Sequence, residues 1–145
     1  MEKKMNAILA GKSRVLGVAL SLLAVTALAG AGQLAAKDAE TRLKATLTGA
    51  AIGNNTPSGS ADFRSQTSRT RLNVEVEHVN LADGSVLDVT LTHAGSASNI
   101  GHITISLNRG ELELESEHGA VVPAVQKGDV ITVSNAGAAI VVGSF

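Results

Sequence analysis

Cysteine is absent from this chain, as are tryptophan and tyrosine, and only Phe63 and Phe145 carry an aromatic ring. Without disulfides, stability has to come from burying aliphatic side chains, although an exported protein has the option of bridges. Stacking platforms for sugars, bases or quaternary amines need exposed aromatic faces, and two phenylalanines leave little for one. Carbohydrate-binding modules and single-strand nucleic-acid binders are therefore disfavoured. Catalytic signatures are equally scarce: there is no thiol, no G-x-S-x-G elbow and no glycine-rich phosphate loop opening a helix. The reading is a non-enzyme that needs no cofactor.

What the chain does have begins at its start. Lys3, Lys4, Lys12 and Arg14 precede an Ala/Leu/Val run from Val15 to Ala29, followed by Gly30, Ala31 and Gly32. A cationic start, an apolar middle and an A-x-A exit make a secretory signal peptide, with cleavage expected after Ala29 or Ala31. The alternative is an uncleaved anchor, since Val15 to Ala36 nearly reaches the roughly 20 residues a spanning helix needs. Its second half is Ala, Gly and Gln33, which weakens insertion. No cysteine follows the run, so a lipoprotein anchor is excluded. The expectation is export to the periplasm or the extracellular space, with membrane contact only if the leader stays on.

Removing residues 1–29 leaves 116 residues, enough for one domain. The leader takes four of the twelve basic residues and one of the thirteen acidic ones, so the remainder carries a net charge of −4. Phosphate backbones demand a basic surface, so no nucleic-acid partner is expected.

From Leu43 onward the apolar residues recur with period two, the pattern of half-buried strands. Eight such runs are legible: Leu43–Leu47, Ala61–Phe63, Leu72–Val76, Leu87–Leu91, Ile103–Leu107, Leu112–Leu114, Ile131–Val133 and Ala138–Phe145. Asp83-Gly84, Asn108-Arg109-Gly110 and Asn135-Ala136-Gly137 supply hairpin chemistry between them. Residues 49–59 and 94–101 read as longer loops, and as the expected contact surfaces because they are rich in small polar residues. The predicted fold is an all-β antiparallel sandwich, Ig-like or Greek-key, of seven to nine strands over 43–145. A flexible lead-in, 30–42, and the signal helix precede it. The expected core is Leu47, Phe63, Leu72, Val74, Val76, Leu87, Val89, Leu91, Ile103, Ile105, Leu107, Leu112, Leu114, Ile131 and Val133. An outer-membrane barrel, suggested by the terminal Phe145, lacks aromatic girdles and long strands; Phe145 is expected to close the last strand over the core.

Two echoes run through the chain. LNVEVEH (72–78) returns as LELESEH (112–118), and DGSVLDV (83–89) as KGDVITV (127–133). Shared strand-and-turn composition is the plainer account of them, with duplication of a hairpin pair as the alternative.

Histidine is the residue type most open to a site. By parity His78, His93 and His118 each follow the apolar face of a strand, and three neutral imidazoles meeting at one rim would suit Zn²⁺ or Cu²⁺, with a carboxylate as a further ligand. The plainer alternative has each ring capping the core edge, carbon body inward and nitrogen wet. The glutamate stripes Glu75-Glu77 and Glu111-Glu113-Glu115-Glu117 lie opposite the apolar faces and are expected to be solvated, keeping the sheet soluble beside Arg64, Arg69, Arg71 and Arg109.

ATLTGA (45–50), TPSGSADF (56–63), LTHAGSASNIGHITISL (91–107) and IVVGSF (140–145) resemble segments of CHRD-type domains, extracellular β domains of chordin and of many bacterial secreted proteins. The resemblance implies a secreted β-sandwich and brings no mechanism with it. Two departures stand out. Ile52-Gly53-Asn54-Asn55 occupies the place of that family's Glu-Val-Pro-Pro, and its His-Ile-His is reduced to Thr92-His93-Ala94. The expected partner is another macromolecule of the cell envelope or extracellular space; the metal-binding alternative rests on the three histidines.

Overall fold

The computed structural model describes residues 39–145. The leader and the 30–38 part of the lead-in lie outside the described residues. Eight strands follow: β1 (Thr41–Thr48), β2 (Ser58–Ser65), β3 (Thr70–Glu77), β4 (Val86–His93), β5 (Ser96–Thr104), β6 (Gly110–Glu115), β7 (Val130–Asn135) and β8 (Ala138–Ser144). The only helical element among the described residues is a 3₁₀ turn at Ser116–His118. All pairings are antiparallel, in one nearly closed sheet of order β5-β4-β7-β8-β1-β2-β3-β6. Odd strands therefore run one way, here called up, and even strands run down.

Alternation dictates these strands and the core they enclose. Leu72, Val74 and Val76 of β3, Leu87, Val89 and Leu91 of β4, and Ile131 and Val133 of β7 are all buried, as parity requires. Fourteen of the fifteen expected core residues are buried or packed against the core. Val79, Val125, Ile140 and Val141 join them from loops and from β8, beyond the reach of parity. The last two are consecutive because a register shift at Val133/Ser134 lets both turn inward.

Leu107 is the exception and a correction: it is 76% exposed. The fifth run ends as a strand at Thr104. Leu107 and Asn108 then form a two-residue turn with φ of 52° and 63°, closed by the Ser106–Arg109 bridge. Both central residues left-handed is the type I′ geometry that matches strand twist. Ala94-Gly95 and Ala136-Gly137 repeat it, at φ of 47° and 81° and of 47° and 84°. The predicted loop 94–101 is thus a second correction, because only its first two residues turn. Ser96 begins β5, a strand whose small polar residues gave no apolar alternation to read. The lead-in also ends earlier than expected, since Thr41 and Arg42 already pair with Ser65 and Arg64.

Candidate functional site

Strand direction assigns the connections to two ends. Residues 49–57, 78–85, 105–109 and 136–137 lie at the upper end; residues 66–69, 94–95, 116–129 and Phe145 lie at the lower. The two expected contact loops therefore do not form one surface. Residues 49–57 are pinned rather than loose: Ile52 and Asn55 exchange backbone hydrogen bonds of 2.8 and 3.3 Å, and the Gly49 N–H donates to the Pro57 carbonyl at 3.2 Å.

The three candidate histidines separate by the same logic. β3 and β6 are antiparallel neighbours, so the LNVEVEH/LELESEH echo places His78 at the upper end and His118 at the lower. His93 shares the lower end with His118. Each ring has its own partner: His78 Nδ1 lies 3.3 Å from Ser58 Oγ, His93 Nδ1 2.8 Å from Asp129 Oδ1, and His118 Nδ1 3.0 Å from Glu115 Oε2. His102 likewise sits 2.9 Å from Asp88. Among the described residues no three His, Asp or Glu side chains are grouped to hold a metal ion.

Two carboxylates at the lower end are buried, and sequence reasoning had made one of them a solvated stripe residue. Glu115 faces outward from β6 yet is only 5% exposed, because side chains close over it. Arg69 Nη2 donates to its Oε1 at 2.8 Å, Arg71 Nε stands 3.2 Å from the same oxygen, and His118 covers the other. The hydrogen bond from Arg69 holds the Glu115 carboxyl below the usual range, with the charges of Arg69, Arg71 and His118 adding to it against the opposing effect of burial. Arg71 also reaches Glu113 at 2.6 Å, and Arg69 reaches Glu117 at 3.0 Å. The signal that could have found this hub is the Arg69-x-Arg71 pair facing a Glu-x-Glu strand. Asp129 is 4% exposed and organises the chain end: it accepts from the Gln126 N–H at 2.8 Å, and its carbonyl accepts from the Phe145 N–H at 2.9 Å. Half-buried Phe145 packs against the core there.

Outside these hubs, the sheet surface divides. Outward rows across β1, β2, β3 and β6 read Arg42–Arg64–Arg71–Glu115, Lys44–Asp62–Asn73–Glu113 and Thr46–Ser60–Glu75–Glu111. Burial alone would raise the Asp62 carboxyl, but hydrogen bonds from Arg64 and Lys44 outweigh it and hold it below the ordinary value. Rows across β8, β7, β4 and β5 read Val142–Thr132–Thr90–Asn99 and Ser144–Val130–Thr92–Ala97. β5 closes this second half and, among the described residues, is hydrogen-bonded on one side only, to β4. Its first four residues, Ser96 to Asn99, are all exposed. Alternate backbone N–H and C=O groups of such an edge strand point away from the sheet and are free to pair.

No family model, no curated protein and no solved structure matches this chain.

Proposed function

We propose that this chain is an exported, non-catalytic β-sandwich module that binds another macromolecule of the cell envelope or extracellular space through a sheet edge. The observation that carries the reading is the open edge of β5, where Ser96–Asn99 present backbone groups beside small, uncharged side chains. Strand addition to such an edge draws affinity from main-chain hydrogen bonds, so it needs neither the aromatic platform nor the reactive group this sequence lacks. The leader pattern and the resemblance to CHRD-type domains support the exported setting. A sandwich is favoured because the β1–β8 ladder shrinks to one pair, Thr48↔Val142, while the other ladders are long. The halves β1-β2-β3-β6 and β5-β4-β7-β8 then form its two layers. In Greek-key fashion, the β6–β7 connection returns the chain to the side of β4.

The test joins location to contact. Protein recovered from its own host is sequenced from its N-terminus, with Gly30 or Gly32 expected as the first residue. A photo-crosslinking residue at position 97 is expected to give an adduct in the host envelope, whereas one at position 44 on the charged half is not. A cytoplasmic protein that still begins at Met1, with no adduct from position 97, would contradict the reading.

A further inference from the structure

We propose that the occupant of the β5 edge is a second copy of this chain, joined β5 to β5 in antiparallel fashion about a two-fold axis. The inference deepens the edge-binding reading and rests on it. Nearly closed sheets have two edges, here β5 and β6, and their charges decide what each can accept. Along β6 the outward Glu111 and Glu113 are exposed, while Glu115 is closed over by Arg69 and Arg71, so two β6 edges would set exposed glutamates against each other, which disfavours pairing. β5 carries no Asp, Glu, Lys, Arg or Pro from Ser96 to Ile100. Lysine, proline and charge are the usual guards of an edge strand, and this stretch has none.

The fold also explains why β6 leaves that stretch uncovered. β5 meets β6 near Gly101, where a Cβ would stand 2.8 and 2.9 Å from the methyl carbons of Leu112. A register shift between Val89 and Thr90 interrupts the β4–β5 ladder at this level, and the Asn99 side chain accepts from the Gly101 N–H at 3.0 Å. Below the crossing, Ser96 to Asn99 are strand residues and exposed. An isologous β5–β5 contact places Ala97 and Ser98 near the axis with no charge opposed to charge, and it uses up the unguarded edge of both copies. The acidic β6 edges are left at the margins, so association stops at two. The contact joins the uncharged outer faces into one continuous surface. Its short length makes a weak dimer, formed as concentration rises.

Sedimentation equilibrium of the protein isolated in the form its host makes, taken from micromolar to millimolar concentration, tests this. The weight-average mass is expected to climb toward twice the monomer value. Ala97→Lys is expected to hold it at the monomer, and Ala97→Glu likewise, while an equimolar mixture of the two regains the dimer. Thr132→Lys, on the same face but away from the edge, is expected to dimerise as the parent does. Hydrogen exchange locates the contact independently of any variant: amides of residues 96–99 should gain protection with concentration. A mass that stays monomeric at millimolar concentration overturns the proposal, as does a dimer that Ala97→Lys leaves intact or Thr132→Lys abolishes. A monomer that still crosslinks from position 97 to a different envelope macromolecule overturns self-pairing while the module reading stands.

Discussion

Across β1, β2, β3 and β6 nearly every outward row carries charge, whereas across β8, β7, β4 and β5 the corresponding rows are Thr, Ser, Val, Ala and Asn, with Asp88–His102 the main exception. Both halves bury the same kind of aliphatic side chain into one core. The difference is confined to the outside, where folding leaves the choice of residue free. One half spends its surface on cross-strand ion pairs such as Lys44–Asp62 at 3.2 Å and Arg71–Glu113. Exposed pairs of this kind contribute about 0–1 kcal/mol each, so they serve solubility more than stability. The other half carries little charge and ends in an unguarded edge, the arrangement expected where a surface is meant to be covered.

The comparison can be broken most forcefully through what the halves share. Leu72→Ala on β3 and Ile131→Ala on β7 remove fully buried side chains, and each should cost about 2–5 kcal/mol in denaturant unfolding. Similar losses in both halves, in a single transition, would confirm one cooperative core. The joint between the halves comes next. A Cβ on Gly49 would run into the carbonyl oxygen of Ile140, so Gly49→Ala should cost about 1–3 kcal/mol.

Acid separates the halves. The Glu115 carboxyl is held below its ordinary range in the folded chain, so the stability it contributes is present above the unfolded value, about 4.3. That contribution is lost as pH falls through the lowered folded value. Thermal melts of the parent should therefore drop below about pH 4, and Glu115→Gln should flatten part of that fall. Thr90→Val, on the uncharged half, should leave the pH profile unchanged. The smallest effects are at the surface. Leu107→Asn relieves an exposed leucine held at φ 52° and should stabilise by about 1 kcal/mol. Glu75→Gln removes one of two glutamates directly opposed across β3 and β6 and should gain about 0.2–1 kcal/mol, less in high salt.

Where the sequence was legible, alternation did the work. Leu72-x-Val74-x-Val76 and Leu87-x-Val89-x-Leu91 have one physical solution, a strand with one face buried. Ser96–Asn99 reads as loop because nothing in it alternates; its strand conformation is imposed by pairing with Thr90–His93. Parity puts Leu107 inside because it cannot see where a strand ends, and the Asn108-Arg109-Gly110 signal starts the turn at Asn108, whereas Leu107 and Asn108 are its two central residues. The histidines were resolvable only with topology, since parity gives a face and antiparallel pairing decides the end. Glu115 looked solvated because burial on an outward face depends on long arginine side chains from another strand.

Residue-resolved hydrogen exchange on dilute protein tests most directly whether β5 is an open edge. Alternate amides within Ser96–Asn99 should exchange at nearly the unprotected rate, while those of β3, β4 and β7 exchange only on global unfolding. Strong protection of all four amides in the dilute monomer would mean that β6 or another segment already covers the edge, and would contradict an open β5.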